Sequence, residues 1–192
     1  MWQAEYRLYL YPTDIKKEID PKKLELALQE VEFIGDILSN DSSVNNSNRY
    51  VVGEDFLSLI CFMGCSPNIE IEPQEDSPFC YVEIPKKTDK IGFIAGDNVK
   101  RVNCPCCKKP QPELAKKLLN SKAEDLFLQA CTECNREIDP LAINWRKSAF
   151  IAQAWVLLGN IYESEAIPDE KLLSALEQAS ACEWKYAYVR LK

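Results

Sequence analysis

The chain has 192 residues, of which 46% are hydrophobic and 28% charged, and it carries a formal net charge of −7. That balance excludes a disordered chain, which buries too little apolar surface to offset its ordering entropy, and the length suits one domain of ordinary size carrying an insertion, or two small units sharing a boundary. Histidine is absent, which removes Ser-His-Asp triads, Cys-His nucleophiles and His-ligated catalytic metals from the functional options.

The opening residues Met1-Trp2-Gln3-Ala4-Glu5-Tyr6-Arg7-Leu8 mix charge and aromatics, without the basic and then apolar segments of a secretory signal. Residues 148–162 form the longest uncharged stretch but include Gln153, Gly159 and Asn160, too short and too polar for the roughly 30 Å bilayer core. A soluble, cytoplasmic protein is expected.

In chain order, bulky side chains alternate from Glu5 to Tyr11 as in a strand with one buried face, closed by Pro12. Leu24, Leu28, Val31 and Ile34 then recur at helical spacing, with Asp20 as N-cap and Pro21 at the first helical position. Residues 39–49 are almost wholly polar and predict a surface loop. The apolar run 55–63, ending at Gly64, predicts a short buried helix, with a strand as the alternative. Strands at 69–71, 79–84 and 91–94, with a turn at Lys86-Lys87, suggest an antiparallel meander. After two cysteine pairs around a helix-like piece at 112–120, the tail reads strand 149–161, helix 168–180, strand 184–191.

The fold class expected is α+β: a mixed or antiparallel sheet with helices on one face, a ferredoxin-like arrangement being one candidate. Residues 1–102 would form its N-terminal part, 103–139 a zinc-ribbon insertion, and 140–192 the strand–helix–strand that completes it. Residues 23–28 and 171–176 match at four of six positions, each opening a helix that follows a strand. Two related halves would produce this, and so would any two amphipathic helices rich in Leu, Ala and Lys.

Nine cysteines without an export signal favour reduced thiols and metal ligation over a disulfide scaffold. Cys104-Pro105-Cys106-Cys107 and Cys131-Thr132-Glu133-Cys134 are two Cys-x-x-Cys turns, each able to aim two sulfurs at one point, so that Cys104, Cys107, Cys131 and Cys134 would hold one zinc ion tetrahedrally. A redox site would need only one such pair. Cys106 competes with Cys107 for the second ligand position, but pairing Cys104 with Cys106 leaves a single residue between ligands, a less common chelate. Four protein thiolates leave no open position for water or substrate, so the zinc would be structural; iron also suits four thiolates.

Other residues have simpler readings. Cys65, near an element end, could be a nucleophile but has no histidine base, and Cys61, Cys65, Cys80 and Cys182 read as small core hydrophobes. Glu163, Glu165, Asp169 and Glu170 could hold a cation, but Pro168 would start the last helix and place Asp169 and Glu170 in its first turn, where the dipole favours negative charge. Trp184, Tyr186 and Tyr188 share one strand face and read as core before they read as a platform for bases. From 86 to 147 there are 13 Lys and Arg against 8 Asp and Glu, leaving −12 elsewhere. Lys108, Lys109, Lys116, Lys117 and Arg136 surround the cysteines, where they could contact phosphates or simply face solvent.

The cysteine pattern resembles the zinc ribbons of transcription, translation and partner-binding proteins, which implies metal binding without a specific activity. Asp139-Pro140, Asn144-Trp145-Arg146, Glu165-Ala166-Ile167-Pro168, Leu172-Leu173 and Trp184-Lys185-Tyr186 resemble an uncharacterised family of small bacterial proteins, which brings no assigned function. The expectation is therefore a non-enzymatic protein-interaction module of adaptor or immunity type, its acidic body suited to a basic protein partner. A nucleic-acid-binding protein using the basic ribbon is the alternative.

Overall fold

A computed structural model describes residues 5–38, 47–63, 69–73, 77–86, 90–99, 102–163 and 165–191. Cys65, Gly64 and most of the polar segment 39–49 lie outside them.

Strand β1 (Glu5–Pro12) leads through a turn to helix α1 (Pro21–Glu30), where the Asp20 carboxylate accepts from the Lys22 amide and Pro21 occupies the first turn. Strands β2 (Ile34–Ile37) and β3 (Ser47–Val52) pair with each other, then β4 (Ile60–Phe62) and β5 (Tyr81–Pro85) follow. After β6 (Gly92–Ala95) come helix α2 (Leu114–Asn120) and two-residue strands β7 (Gln129–Ala130) and β8 (Glu137–Ile138). Strands β9 (Ala149–Ala152), β10 (Val156–Gly159) and β11 (Ala166–Pro168), helix α3 (Glu170–Ser180) and β12 (Trp184–Leu191) complete the chain.

Six strands form the main sheet in the order β12-β1-β10-β5-β3-β2, every neighbouring pair antiparallel. Its first four members, β12-β1-β10-β5, are in chain order the fourth, first, third and second. With α1 after β1 and α3 before β12, this is the βαββαβ order of a ferredoxin-like core. The β2–β3 hairpin extends it beyond β5, and everything from β6 to β9 is inserted between β5 and β10. The α+β class with helices on one face is what the structure has.

Alternation divides the sheet residues cleanly. Leu8, Leu10, Val82, Ile84, Val156, Leu158, Trp184 and Tyr188 join Leu24, Leu28, Leu172 and Leu176 of the helices in one core. Tyr9, Tyr81, Leu157, Ala187 and Val189 face the other way and pack with Phe150 and Ala152 of β9. The aromatic stripe of β12 is thus core, as its period suggested. The paired stretches 23–28 and 171–176 bury corresponding leucines, Leu24 with Leu172 and Leu28 with Leu176.

Several expectations are corrected. Helix α1 stops at Glu30, and Ile34 opens a strand, because Glu32 takes a left-handed turn (φ 52°) that ends the helix. Ser47, Asn48 and Arg49 belong to β3 rather than to a loop, their backbone paired with β5. The run 55–63 is a single 3-10 turn followed by β4, which pairs with β11. Residues 69–71 form no strand, and β5 and β6 lie in different sheets, so there is no meander. The stretch 149–161 is two strands, since β9 pairs with β6 while β10 enters the main sheet. Pro168 closes β11 and Asp169 caps α3, its carboxylate accepting from the Lys171 amide. Among the described residues no helix is long and apolar enough to cross a membrane.

The insertion is rooted on β12, the outer strand of the sheet. Asp97 and Tyr188 amides donate to the Arg190 and Lys147 carbonyls, and the Asn98 side chain donates to the Tyr188 carbonyl and accepts from the Arg190 amide. Backbones meet so closely here that a Cβ on Gly96 would stand 2.2 Å from the Arg190 carbonyl oxygen. Gly96→Ala is accordingly expected to lower stability by about 1–3 kcal/mol, the usual range for overpacking. Chemical denaturation checks this; an unchanged midpoint would mean that the root separates freely from β12.

Candidate metal centre

The site is two copies of one local device. In the first, the Cys104 amide donates to the Lys109 carbonyl (2.8 Å) and the Lys108 amide donates back to the Cys104 carbonyl (3.0 Å). In the second, Cys131 donates to Arg136 (2.9 Å) and Asn135 to Cys131 (3.0 Å). The residue after each second cysteine is left-handed, Lys108 at φ 61° and Asn135 at φ 57°, which folds the chain back on itself. Asparagine tolerates that conformation, whereas lysine adopts it only when its surroundings hold it there. Inside each turn an amide points at the first sulfur, Cys106 N–H at Cys104 and Glu133 N–H at Cys131, both at 3.4 Å.

The turns face each other. Cys104 Sγ lies 4.0 Å from Cys134 Sγ and Cys107 Sγ lies 3.7 Å from Cys131 Sγ, and all four sulfurs fall within 4.8 Å of one another. These separations are far longer than a disulfide bond of about 2.05 Å. Four sulfurs about 2.3 Å from a tetrahedral zinc ion would stand about 3.8 Å apart. The four cysteines can therefore hold a metal ion. Cys106 is exposed and outside the group, as the chelate argument anticipated.

Electrostatics favour a cation at this point. Amide donors, that of Cys107 foremost, hold the Cys104 thiol down to about 6. The Lys109 amide also favours the Cys107 thiolate, but desolvation and the neighbouring thiols of Cys131, Cys104 and Cys134 outweigh it and push Cys107 up to about 12. Cys134 is raised as well. Four adjacent sulfurs cannot all ionise unless a positive charge sits among them.

Around the sulfurs lies a second apolar cluster in which Cys104 and Cys131 are themselves buried, with Leu114, Leu118, Leu126, Ile138 and Trp145. It also takes in Phe93, Ala149 and Ile151 from the β6–β9 pair, outside residues 103–139. Gln111 was missed by sequence reasoning. Buried between the turns, its amide donates to the Val102 carbonyl and its side-chain oxygen accepts from the Thr132 amide (3.3 Å) and hydroxyl (3.4 Å). A lone glutamine between Pro110 and Pro112 gives no periodic signal, so only the tertiary pairing shows that it ties one turn to the other.

The other candidates are dispersed. Cys80 is fully buried and its thiol pushed up to about 12 by desolvation, as a core hydrophobe should be. Cys61 is exposed and Cys182 half-buried, correcting the core reading for both: Cys61 points outward from β4, and Cys182 sits in the turn after α3. Of the acidic group, Asp169 serves as a helix cap, and among the described residues only the cysteines come together as a possible metal site.

Two measurements follow from this geometry. Cys107→Ser should lose bound metal while Cys106→Ser retains it, as read by metal analysis; equal retention would move the ligand to Cys106. In the native, metal-loaded protein, iodoacetamide should modify exposed Cys106 and Cys61 readily and Cys80 only on unfolding, with early labelling of Cys80 contradicting its burial. Comparison of the chain with protein-family models, curated proteins and solved structures returns no match, so neither resemblance is supported by a relative, and what stands is that Cys104, Cys107, Cys131 and Cys134 can hold a metal ion.

Proposed function

We propose that this is a non-enzymatic zinc protein in which one structural zinc ion holds the ribbon, and the ribbon presents a surface to a protein partner. The observation that carries the zinc assignment is the agreement between the cross-turn sulfur separations of 3.7 and 4.0 Å and the 3.8 Å or so of a zinc–thiolate tetrahedron. Four thiolates close the coordination sphere, which leaves such an ion no position from which to activate water or polarise a substrate.

Two features favour a protein partner over nucleic acid. Residues 103–139 contain six Lys and Arg and six Asp and Glu, so the ribbon carries no net positive charge with which to displace counterions from phosphates. Lys108 Nζ donates to the Pro105 carbonyl (2.7 Å), and Lys116 pairs with Glu113 (3.3 Å). In contrast, Leu119 and Leu128 are 50% and 73% exposed, on segments tied together by the Gln129 side chain donating to Ser121 Oγ. Large apolar side chains exposed on adjacent segments suit a protein contact.

Metal analysis is expected to return one zinc per chain, and a strong chelator to abolish hydrogen-exchange protection across residues 93–151 while the six-stranded sheet keeps it. Zinc-free protein with full protection there would overturn the structural-metal reading. For the partner class, random oligonucleotides should show no salt-sensitive binding between about 50 and 200 mM salt. Binding that is lost in Lys108→Ala/Lys109→Ala would replace the protein-partner reading with the nucleic-acid one.

A further inference from the structure

We propose that the groove between residues 140–151 and the adjoining ends of β1 and β12 binds a small phosphate-bearing anion. The groove has a volume of about 370 Å³, within the range that accepts small-molecule ligands. Arg146, Lys147 and Lys185 line it, and none of its lining residues is acidic, in a chain whose net charge is −7. Among the described residues none of the three cations is paired with a carboxylate. The two carboxylates nearest in sequence to the lining are engaged locally: Asp139 accepts from the Leu141 amide (2.9 Å) and Asp14 from the Lys16 amide (3.1 Å).

The cations are held in place by conformations that the chain would not adopt unaided. Arg146 (φ 52°) and Lys147 (φ 58°) are consecutive left-handed residues, and neither is glycine or asparagine. Their turn is fixed from several sides. Asn144 Oδ1 accepts from the Arg146 amide (2.9 Å), Trp145 Nε1 donates to the Pro140 carbonyl (2.9 Å), and the Lys147 carbonyl accepts from the Tyr188 amide (2.7 Å). The Lys147 ammonium lies instead on the hydroxyl and ring of Tyr186, on the face of β12 opposite Lys185, so Arg146 and Lys185 supply the groove's charge. Backbone strain over-determined in this way is a feature of ligand sites. Lys185 stands directly opposite Tyr11 across the β1–β12 ladder, and Tyr11 stacks on Phe150 at 4.3 Å, giving the groove an aromatic wall beside its charges.

Two cations exceed what one carboxylate would neutralise. A phosphate supplies up to two charges and several acceptor oxygens, matching one guanidinium fork and one ammonium group. Phosphate alone and phosphate attached to a planar ring share this chemistry, and the wall of Tyr11 and Trp145 would favour the second.

Isothermal titration calorimetry of the full, metal-loaded chain with AMP and with inorganic pyrophosphate tests the site. At least one probe should bind, at least tenfold more weakly in Arg146→Gly and in Lys185→Met but unchanged in Lys109→Ala, whose cation lies outside the groove. Arg146→Gly should also raise the melting temperature, because glycine accepts the left-handed φ, so its loss of binding cannot be attributed to misfolding. Tighter binding of AMP would support the ring-bearing form, and tighter binding of pyrophosphate the phosphate-only form. The proposal is overturned if neither probe binds at millimolar concentration in low salt, or if Arg146→Gly and Lys185→Met bind as the parent does.

Discussion

Four sulfurs within 4.8 Å of one another repel as thiolates, and only protons or a cation among them relieve that repulsion. The ribbon depends on how this is resolved. Its helix α2 has seven residues and its strands β7 and β8 two each, all too short to persist alone. Cys104 and Cys131 lie inside the same apolar cluster as Leu114, Leu118 and Ile138. Metal binding there and burial of those side chains would therefore be one event, with the ion's binding free energy becoming folding free energy of the lobe.

The place of the insertion explains why the main core tolerates it. Strands β5 and β10 are neighbours in the sheet, so the ends of the inserted chain are held close together by hydrogen bonds that do not involve the ribbon. Closing a longer loop between fixed ends costs little more than closing a short one. The inserted chain then does something for the sheet. By bonding to Tyr188 and Arg190, its root covers the outer edge of β12, which would otherwise be open to pairing with another chain.

Elements whose signal is local were legible in the sequence. Asp20-Pro21 announced α1, alternation announced β1 and β12, and Cys-x-x-Cys spacing announced both cysteine turns. Signals were lost where burial is complete on both faces. Ala149–Ala152 and Val156–Gly159 are buried throughout, so an apolar run broken by Gln153 alone concealed a passage from one sheet to another. Polar Ser47, Asn48 and Arg49 looked like loop because Ser47 and Arg49 bond the Glu83 carboxylate across the sheet at 2.7 and 2.8 Å, a pairing that no local pattern encodes. Gln111 and the strained Arg146–Lys147 turn were invisible for the same reason: each is defined by what it meets, not by its neighbours in the chain.

Charge shows the same difference between windows and places. The surplus of +5 over residues 86–147 suggested a basic ribbon, yet 103–139 sums to zero, 86–102 carries +3 and 140–147 carries +2. The excess therefore belongs to the segments that enter and leave the ribbon. The second of these folds against β1 and β12, bringing Arg146 and Lys147 to one groove with Lys185, a residue 38 positions further along the chain. Cations that arrive at one cavity from a strand and a strained turn reinforce one another's field there far more than the same charges spread along a solvated face. The groove thus gathers positive charge in an otherwise acidic chain, whereas the Lys, Arg, Asp and Glu of residues 103–139 cancel.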